Sequence, residues 1–368
     1  MKSSVNHFFL ILLLFAVTFG CATPPKIEEV KPVWPSAPDE PRIAYIKSWY
    51  GEEDFAKKES SFLDTLLGEE GGGGMRMARP QAVAVDKDGT LYVVDSQLAA
   101  VFVFDEKNSA FGIFGGSGRG RVSIPSGIAF DNLGNTIFIS DAKQKKVFGF
   151  DKNGGLKVAI GKEGEFERPS GLAVSEALKR LYVVDTHGHK VKAYTTKGDF
   201  LFEFGERGHE EGGQFNFPTF AAIDSQENVY IVDSQNFRVQ VFDKDGKFIR
   251  LWGEVGDIPG RFARPKGVGI DSDDNVYIID AAFENIQVFN KETKILLFFG
   301  TSGMDPGYFN VPAGMYIDKN TDRIYVADGF NQRVQVLQYL SEKFKKEKPL
   351  EYKEILDRGL EKPKEEKK

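Results

Sequence analysis

The chain has 368 residues, of which 41% are hydrophobic and 28% are charged, and its net charge at pH 7 is −6. These values are ordinary for a globular protein and exclude a disordered or fibrous chain. The acidic balance argues against nucleic-acid binding, which needs a positive field to collect phosphates. A single cysteine excludes a disulfide framework, an iron–sulfur cluster and a cysteine-rich zinc site. The 39 glycines and 32 phenylalanines are typical of many short strands joined by tight turns.

Residues 1–20 have the pattern of an export signal. Lys2 precedes ten apolar residues, Phe8 to Val17, whereas a membrane-spanning helix needs about 20. Cys21 comes directly after this segment of 20 residues. The pattern resembles a bacterial lipobox, in which the cysteine is acylated and becomes the mature N-terminus. Thr18 stands where such boxes usually have leucine. Ordinary cleavage near Ala22, which would release a soluble secreted protein, is therefore the alternative.

The lipobox interpretation makes Cys21 the lipid attachment site and places the protein in the bacterial cell envelope. Several acyl chains on one residue form a stable membrane anchor, since each buried CH₂ contributes about 0.8 kcal/mol. Ala22, rather than aspartate, resembles the sorting signal for the outer membrane of a Gram-negative cell. Residues 21–41 hold six prolines without periodicity and are interpreted as an extended tether.

An internal repeat predicts the fold. A proline recurs six times, 44 to 49 residues apart, at Pro80, Pro125, Pro169, Pro218, Pro265 and Pro312. Each unit then contains a strand-like segment that ends on an aspartate, namely Asp95, Asp141, Asp185, Asp233, Asp280 and Asp328. In the first five units a glycine closes a fourth apolar segment 20 residues after the aspartate. Four short strands per unit in six units predict an all-β, six-bladed β-propeller.

The sixth unit lacks its fourth strand, because the expected segment falls in the charged stretch around Lys348. Arg42–Gly51 resembles the fourth strand of another unit, Gly246–Gly253. We therefore expect an N-terminal strand to complete the last blade, which closes the ring and removes two exposed edges. The propeller is predicted to span residues 42–340.

Three segments carry the clearest motif: Val232–Phe242 (VDSQNFRVQVF), Ala327–Leu337 (ADGFNQRVQVL) and Val184–Tyr194 (VDTHGHKVKAY). They resemble NHL repeats, and the resemblance covers about residues 42–340. Leu98, Gln144 and Phe283 replace the asparagine of the motif in blades one, two and five. The family includes binding modules and a few enzymes. We expect the propeller to be monomeric. With the lipobox, the chain resembles bacterial NHL-repeat lipoproteins.

Two segments depart from the repeat. The first, residues 52–79, contains a predicted short helix, SSFLDTLLG, whose apolar side chains share one face, followed by a glycine-rich linker. It is interpreted as packing on the propeller rim, with a partner-binding element as the alternative. The second, residues 341–368, carries many charges of both signs and is interpreted as a solvated, partly helical tail.

The six strand-end aspartates lie on one face of the predicted propeller, here called the aspartate face. It carries the loops between the second and third strands of each blade and the connections from one blade to the next. The aspartates are interpreted as structural acceptors for loop amides, since Asp commonly plays that part beside a turn. A ring of metal-binding carboxylates is the alternative.

A metal site is a second hypothesis for the same face. His187 and His209 are placed between blades three and four, and Asp185 is a third candidate ligand for one divalent ion. Peptidyl-hydroxyglycine lyases, which have similar repeats, gather zinc-binding histidines from several blades. The positions equivalent to His187 in the other blades hold no histidine, which departs from that pattern. No other cofactor is expected.

The function that we predict is recognition without catalysis. A rigid ring would present six dissimilar loops to a protein partner of the envelope, or to a peptide or glycan. Exposed aromatic and cationic side chains suit such contacts. The candidate partner-binding residues are Phe237, Arg238, Phe283, Phe330 and Arg333. Packing of the three phenylalanines between blades is one alternative, and a metal-dependent propeller enzyme of the lyase or lactonase type is another.

Overall fold

Six antiparallel sheets stand around a central channel as the blades of a propeller. The structure is a computed structural model that describes residues 31–55 and 74–360. Two strands precede the first blade: β1 (Val33–Trp34) and β2 (Ile43–Trp49). Blade one consists of β3 (Pro80–Val85), β4 (Leu91–Asp95), β5 (Ala100–Asp105) and β6 (Ala110–Phe114). Blade two consists of β7 (Pro125–Asp131), β8 (Thr136–Asp141), β9 (Lys146–Phe150) and β10 (Leu156–Ile160).

The remaining blades repeat this order. Blade three consists of β11 (Pro169–Ser175), β12 (Arg180–Asp185), β13 (Lys190–Thr195) and β14 (Phe200–Phe204), and the short strands β15 (Glu206–Arg207) and β16 (Gln214–Phe215) follow it. Blade four consists of β17 (Pro218–Ile223), β18 (Val229–Asp233), β19 (Arg238–Phe242) and β20 (Phe248–Trp252). Blade five consists of β21 (Pro265–Ile270), β22 (Val276–Asp280), β23 (Asn285–Phe289) and β24 (Ile295–Phe299). Blade six begins with β25 (Pro312–Asp318), β26 (Arg323–Asp328) and β27 (Arg333–Tyr339).

Single-turn helices occur at Glu52–Asp54 and Ser234–Asn236. Two α-helices follow the last blade, α1 (Glu342–Glu347) and α2 (Pro349–Leu360). Within the described residues no helix is both long and apolar enough to cross a membrane. Cys21 and the helix predicted after Ser60 lie outside the described residues, so both remain predictions.

The hydrophobic core lies between neighbouring blades rather than in one central mass. One cluster joins Trp49 and Tyr325 of blade six to Val83 of blade one, and five similar clusters join the other neighbours. The first strands of the six blades contact one another in a closed ring around the channel. Each blade is therefore buried on two faces, which explains why strands such as β8 (TIFISD) are buried along their whole length.

The prediction that an N-terminal strand closes the ring is confirmed. β2 pairs antiparallel with β27, from Ile43 opposite Tyr339 to Trp49 opposite Val334, and so supplies the fourth strand of blade six. This pairing removes the edges that an incomplete blade would leave exposed.

Both ends of the described chain pack more closely than the sequence suggested. Within the predicted tether, Val33–Trp34 form β1 on the outside of β2, and the Trp34 ring lies 5.2 Å from the Phe299 ring. Within the predicted tail, Phe344 and Ile355 are buried against Val33. The two ends also meet through Glu40, which accepts a hydrogen bond from the Tyr352 hydroxyl at 2.6 Å. The helical part of the predicted tail is present. The prediction of a fully solvated tether and tail is wrong at Val33, Phe344 and Ile355, because each end covers apolar surface of the other.

Replacement of a core residue on β2 tests how much this closing strand contributes to the stability of the ring. Ile43 is fully buried between blades five and six. We expect Ile43→Ala to lower the free energy of unfolding by about 2–5 kcal/mol, measured by denaturant titration. Ile249→Ala, at an exposed position on β20, is the matched control and should change it by less than about 1 kcal/mol. Equal effects of the two changes would contradict closure by β2.

Candidate functional site

One buried carboxylate organises each blade on the aspartate face. In blade one, Asp95 Oδ2 accepts hydrogen bonds from the backbone N–H groups of Ala78 and Arg79, both at 2.7 Å. Asp95 Oδ1 accepts from those of Gln97 and Leu98, both at 2.9 Å. The same carboxylate therefore holds the connection that enters the blade and the loop between its second and third strands.

The other five strand-end aspartates make related contacts and are equally buried. Asp185 accepts from the N–H of Arg168 at 2.7 Å, and Asp280 accepts from that of Arg264 at 3.1 Å. Both oxygens of these carboxylates face loop amides rather than the channel. The contacts are those of structural acceptors, and they do not form a ring of carboxylates open to a metal ion.

In blades four and six, the aspartate also pairs with a buried arginine. Arg238 Nε donates to Asp233 at 2.9 Å, and its terminal nitrogens donate to three backbone carbonyls, one of them on Gln214 at 2.7 Å. Arg333 binds Asp328 at 2.9 Å in the same way. Burial raises the pKa of both aspartates, although the hydrogen bonds that they accept act in the opposite direction.

These contacts correct two of the predicted partner-binding residues. The exposed fraction is 6% for Arg238 and 3% for Arg333, so neither can serve as a surface contact. Their donors point to carbonyls 24 to 29 residues away in the chain, in the connection that enters the same blade. The prediction was wrong because the sequence does not show that this connection folds back over the arginine.

The three predicted phenylalanines differ in exposure. Phe330 is 54% exposed, and its ring lies 5.2 Å from the Arg79 guanidinium carbon. Phe237 is partly buried against the core between blades four and five. Phe283 is also partly buried, and its backbone N–H donates to Asp280 at 3.3 Å. Only Phe330 of the three is available for contact over most of its surface.

The predicted metal ligands do not come together. Asp185 is occupied by backbone amides, and the His209 side chain is 76% exposed beside Glu210. The His187 ring packs edge-on against Phe217, and desolvation, together with the charge of Arg168, lowers the pKa of His187. Across residues 31–55 and 74–360, no three His, Cys, Asp or Glu side chains are grouped so that they could hold a metal ion. The set of His187, His209 and Asp185 is therefore not a ligand cluster.

Phe220 divides the central channel into two parts. It lies on the first strand of blade four but also packs against the core between blades one and two. A Cβ atom placed on Gly314 of blade six would lie 2.9 Å from the Phe220 ring. The ring thus extends across the channel, where the other blades have glycine or alanine at the equivalent position.

Beyond Phe220, a cavity of about 370 Å³ opens on the face opposite the aspartates, here called the turn face. Apolar and polar groups both line this cavity, and its charged lining residues include Glu176, Asp224 and Lys319. Lys319 crosses from blade six and donates to the Ile223 carbonyl at 3.0 Å, and burial lowers the pKa of this lysine. Burial, with Asp318 and Glu176 nearby, raises the pKa of Tyr316 well above its usual value.

On the aspartate face, cations surround the other mouth of the channel. Arg79, Arg168 and Arg264 precede the first strands of blades one, three and five, and all three side chains are exposed. Lys266 is recessed in the mouth on the first strand of blade five. Burial, with the charges of Arg264 and Arg79, lowers the pKa of Lys266 to about 8. We take this group, with Phe330, as the candidate binding site.

Sequence reasoning missed both Lys266 and Phe220. The repeat contains a signal for each residue. At the position of Lys266, directly after the repeated proline, the other five blades have an uncharged residue. The next residue is small in all blades except the fourth. Comparing equivalent positions would have singled out both residues, although not their environment.

Two family models match parts of the chain. Residues 309–337 match a family described as NHL repeat, and residues 222–293 match one described as 6-bladed beta-propeller. Protein brain tumor of Drosophila melanogaster is 38% identical over 61 residues, which are 17% of this chain and 6% of that protein. The chain therefore spans a small fraction of this curated relative.

Solved structures share the fold at low sequence identity. An auxiliary nutrient binding protein from Bacteroides thetaiotaomicron has a TM-score of 0.56 at 16% identity, over 72% of this chain and 70% of that one. Virginiamycin B lyase from Staphylococcus aureus, in a catalytically inactive form, has a TM-score of 0.53 at 14% identity, over 73% and 82%. The chain is thus a six-bladed β-propeller that contains NHL-repeat sequence.

Removal of a strand-end aspartate tests its structural role. We expect Asp328→Ala to lower the free energy of unfolding by about 3–5 kcal/mol, because Arg333 is left buried without its partner. Asp245→Ala removes a carboxylate that is 57% exposed and should change the free energy much less, because exposed ion pairs contribute little. Denaturant titration of both variants measures the difference. A loss below about 1 kcal/mol for Asp328→Ala would argue against the framework role.

Proposed function

We propose that this protein is a lipid-anchored binding module of the bacterial cell envelope, whose aspartate face binds a partner protein without catalysing a reaction. The observation that carries this proposal is the uneven distribution of exposed apolar side chains between the two faces. Among the described residues, nine large apolar side chains are exposed in the loops of the aspartate face: Met75, Leu98, Ile124, Phe217, Val255, Ile258, Met304, Tyr308 and Phe330. The loops of the turn face expose one, Leu133.

An apolar surface next to cationic side chains is typical of protein interfaces, where aromatic residues and arginine are enriched. Here Phe330 lies beside Arg79, and Phe217 lies beside His187. The buried aspartates hold the loops that carry these side chains, so binding would cost little ordering of the loops. A solved propeller that is described as a nutrient-binding auxiliary protein shares the fold, which supports a binding role.

A metal-dependent enzyme of the lyase or lactonase type is less well supported. A lyase of known structure shares the fold alone. Such an enzyme needs a ligand set, and the candidate histidines do not supply one within the described residues.

Site-specific photo-cross-linking tests the binding face. A photoreactive phenylalanine analogue at Phe330 is expected to form a discrete covalent adduct with one protein in native membranes, since this side chain is 54% exposed. The same analogue at Leu133, which is 68% exposed on the turn face, is the matched control. Equal labelling from both positions, or labelling from Leu133 alone, would contradict the proposed face.

The membrane anchor is tested separately at Cys21. Cys21→Ser should abolish acylation, seen as a loss of mass in the mature protein, and should move the protein from the membrane to the soluble fraction. The change lies outside the propeller, so thermal unfolding of the folded domain should be unaffected. A Cys21→Ser protein that stays in the membrane fraction would exclude lipid attachment at this residue.

A further inference from the structure

Six equivalent residues, one from each blade, line the channel mouth on the aspartate face, and Lys266 differs from the others in its charge. The equivalent residues of the other blades are uncharged: Gln81, Ser126, Ser170, Thr219 and Ala313. All three hydroxyl groups in this set bind a backbone carbonyl of the next blade. Ser126 Oγ donates to Pro169 at 3.0 Å, Ser170 Oγ donates to Thr219 at 2.9 Å, and Thr219 Oγ1 donates to Lys266 at 2.8 Å. These donors are occupied in holding the blades together.

The Lys266 ammonium has no such partner. Among the described residues, no carbonyl or carboxylate accepts a hydrogen bond from it, and the charged groups near it are Arg79 and Arg264, both positive. Two buried carboxylates of this face, Asp95 and Asp280, are unavailable because they bind loop amides. Glu284 in turn accepts from the Val311 N–H at 3.0 Å. A recessed cation that lacks an acceptor is costly, and an anionic ligand would offset that cost.

The surroundings of Lys266 restrict the kind of anion. Phe220 blocks the channel behind the mouth, so that only a short end group can enter. The exposed side chains of Phe330, Phe217 and Ile124 lie around the mouth, and a ligand with apolar groups beside its charge would cover them. A peptide segment meets this requirement, whereas a free inorganic anion leaves these side chains in water.

We propose that the channel mouth on the aspartate face binds a carboxylate of an acidic peptide segment, with Lys266 pairing to it inside the mouth and Arg79 and Arg264 contributing at the rim. This rests on the proposed function and assigns the chemistry that the partner presents. A lysine that only fills the channel with its aliphatic stem is the simpler alternative, and it predicts no response to anions.

The pH dependence follows from the lowered pKa of Lys266. Below about pH 8 the ammonium is charged and can pair with a carboxylate, and above it the amine is neutral and cannot. Binding of the anion must in turn raise the pKa of the lysine, because the bound carboxylate favours the charged form. An arginine guanidinium is effectively always protonated in proteins, so a loss of affinity between pH 8 and 10 that Lys266→Met abolishes is assigned to Lys266.

The test uses the purified full-length protein, labelled with carbon-13 at lysine, and two capped peptides that differ in one residue: acetyl-Phe-Glu-Phe-amide and acetyl-Phe-Gln-Phe-amide. The NMR shift of the Lys266 Cε, assigned from its absence in Lys266→Met, gives the pKa and the affinity. We expect the Glu peptide to raise the pKa by about one unit and to bind about tenfold more tightly than the Gln peptide below pH 8. This preference should disappear by pH 10.

Matched variants separate the site from the general charge of the face. Lys266→Met should abolish the preference for the Glu peptide, with a melting temperature that is unchanged or higher because a recessed cation is removed. Lys143→Met removes an exposed lysine of the same face and should keep the preference. Glu and Gln peptides that bind equally, or a preference that survives in Lys266→Met, would overturn the proposal.

Two further measurements test whether a small free anion has the same effect on Lys266 as the peptide carboxylate. Acetate and inorganic phosphate, at the same concentration as the peptide, are expected to move the Lys266 pKa by less than half as much. An equal shift with either one would overturn the assignment to a peptide carboxylate. The cross-linking result at Phe330 is independent of this measurement, so failure of the proposed function and failure of the anion site can be told apart.

Discussion

The hydrogen bonds of the strand-end aspartate are the interaction on which the rest of the structure depends. In each blade one buried carboxylate holds a connection that has just crossed from the previous blade. In four of the blades it also accepts hydrogen bonds from backbone N–H groups of the loop that follows it. In blades four and six it accepts a hydrogen bond from a side chain of that loop instead. A carboxylate is suited to this because it offers four lone-pair sites and hydrogen bonds to a charged acceptor are strong. Without it, up to four loop amides per blade would be buried unpaired or left to water.

The same interaction explains how an acidic chain presents a cationic mouth. The six carboxylates are turned inwards, whereas three of the residues whose backbones they hold, Arg79, Arg168 and Arg264, extend their side chains into solvent. The chain has a net charge of −6, but the residue directly before the repeated proline is arginine in three blades and apolar in the other three. Net charge therefore says little about the potential at one place on a propeller, because that potential depends on which charged side chains lie close to it.

The propeller also separates stability from binding. Its apolar clusters lie between blades, and closure by β2 makes every blade a neighbour of two others. Each connection of the aspartate face contributes one buried side chain to these clusters, for example Phe215, Phe262 or Phe309, whereas the exposed positions of the same loops can vary in sequence at small cost to the fold. Lys266 is the opposite case, because burial disfavours its charged form and no acceptor among the described residues offsets that cost. Residues that are destabilising where they stand are often retained for binding.

The sequence by itself determined the number of blades, their strand order and the closing strand. These follow from a local pattern of proline, strand and aspartate that recurs six times, and from one missing segment whose counterpart stands at the other end. It also singled out the aspartates, because an acidic residue at a strand end is typical of a turn. The environment of Arg238, Arg333 and Lys266 was decided by tertiary structure alone. Each arginine binds carbonyls more than 20 residues away, and the lysine lies near a charged group of another blade, Arg79. Burial of a charged group depends on which distant residues surround it, and a repeat pattern carries no record of that.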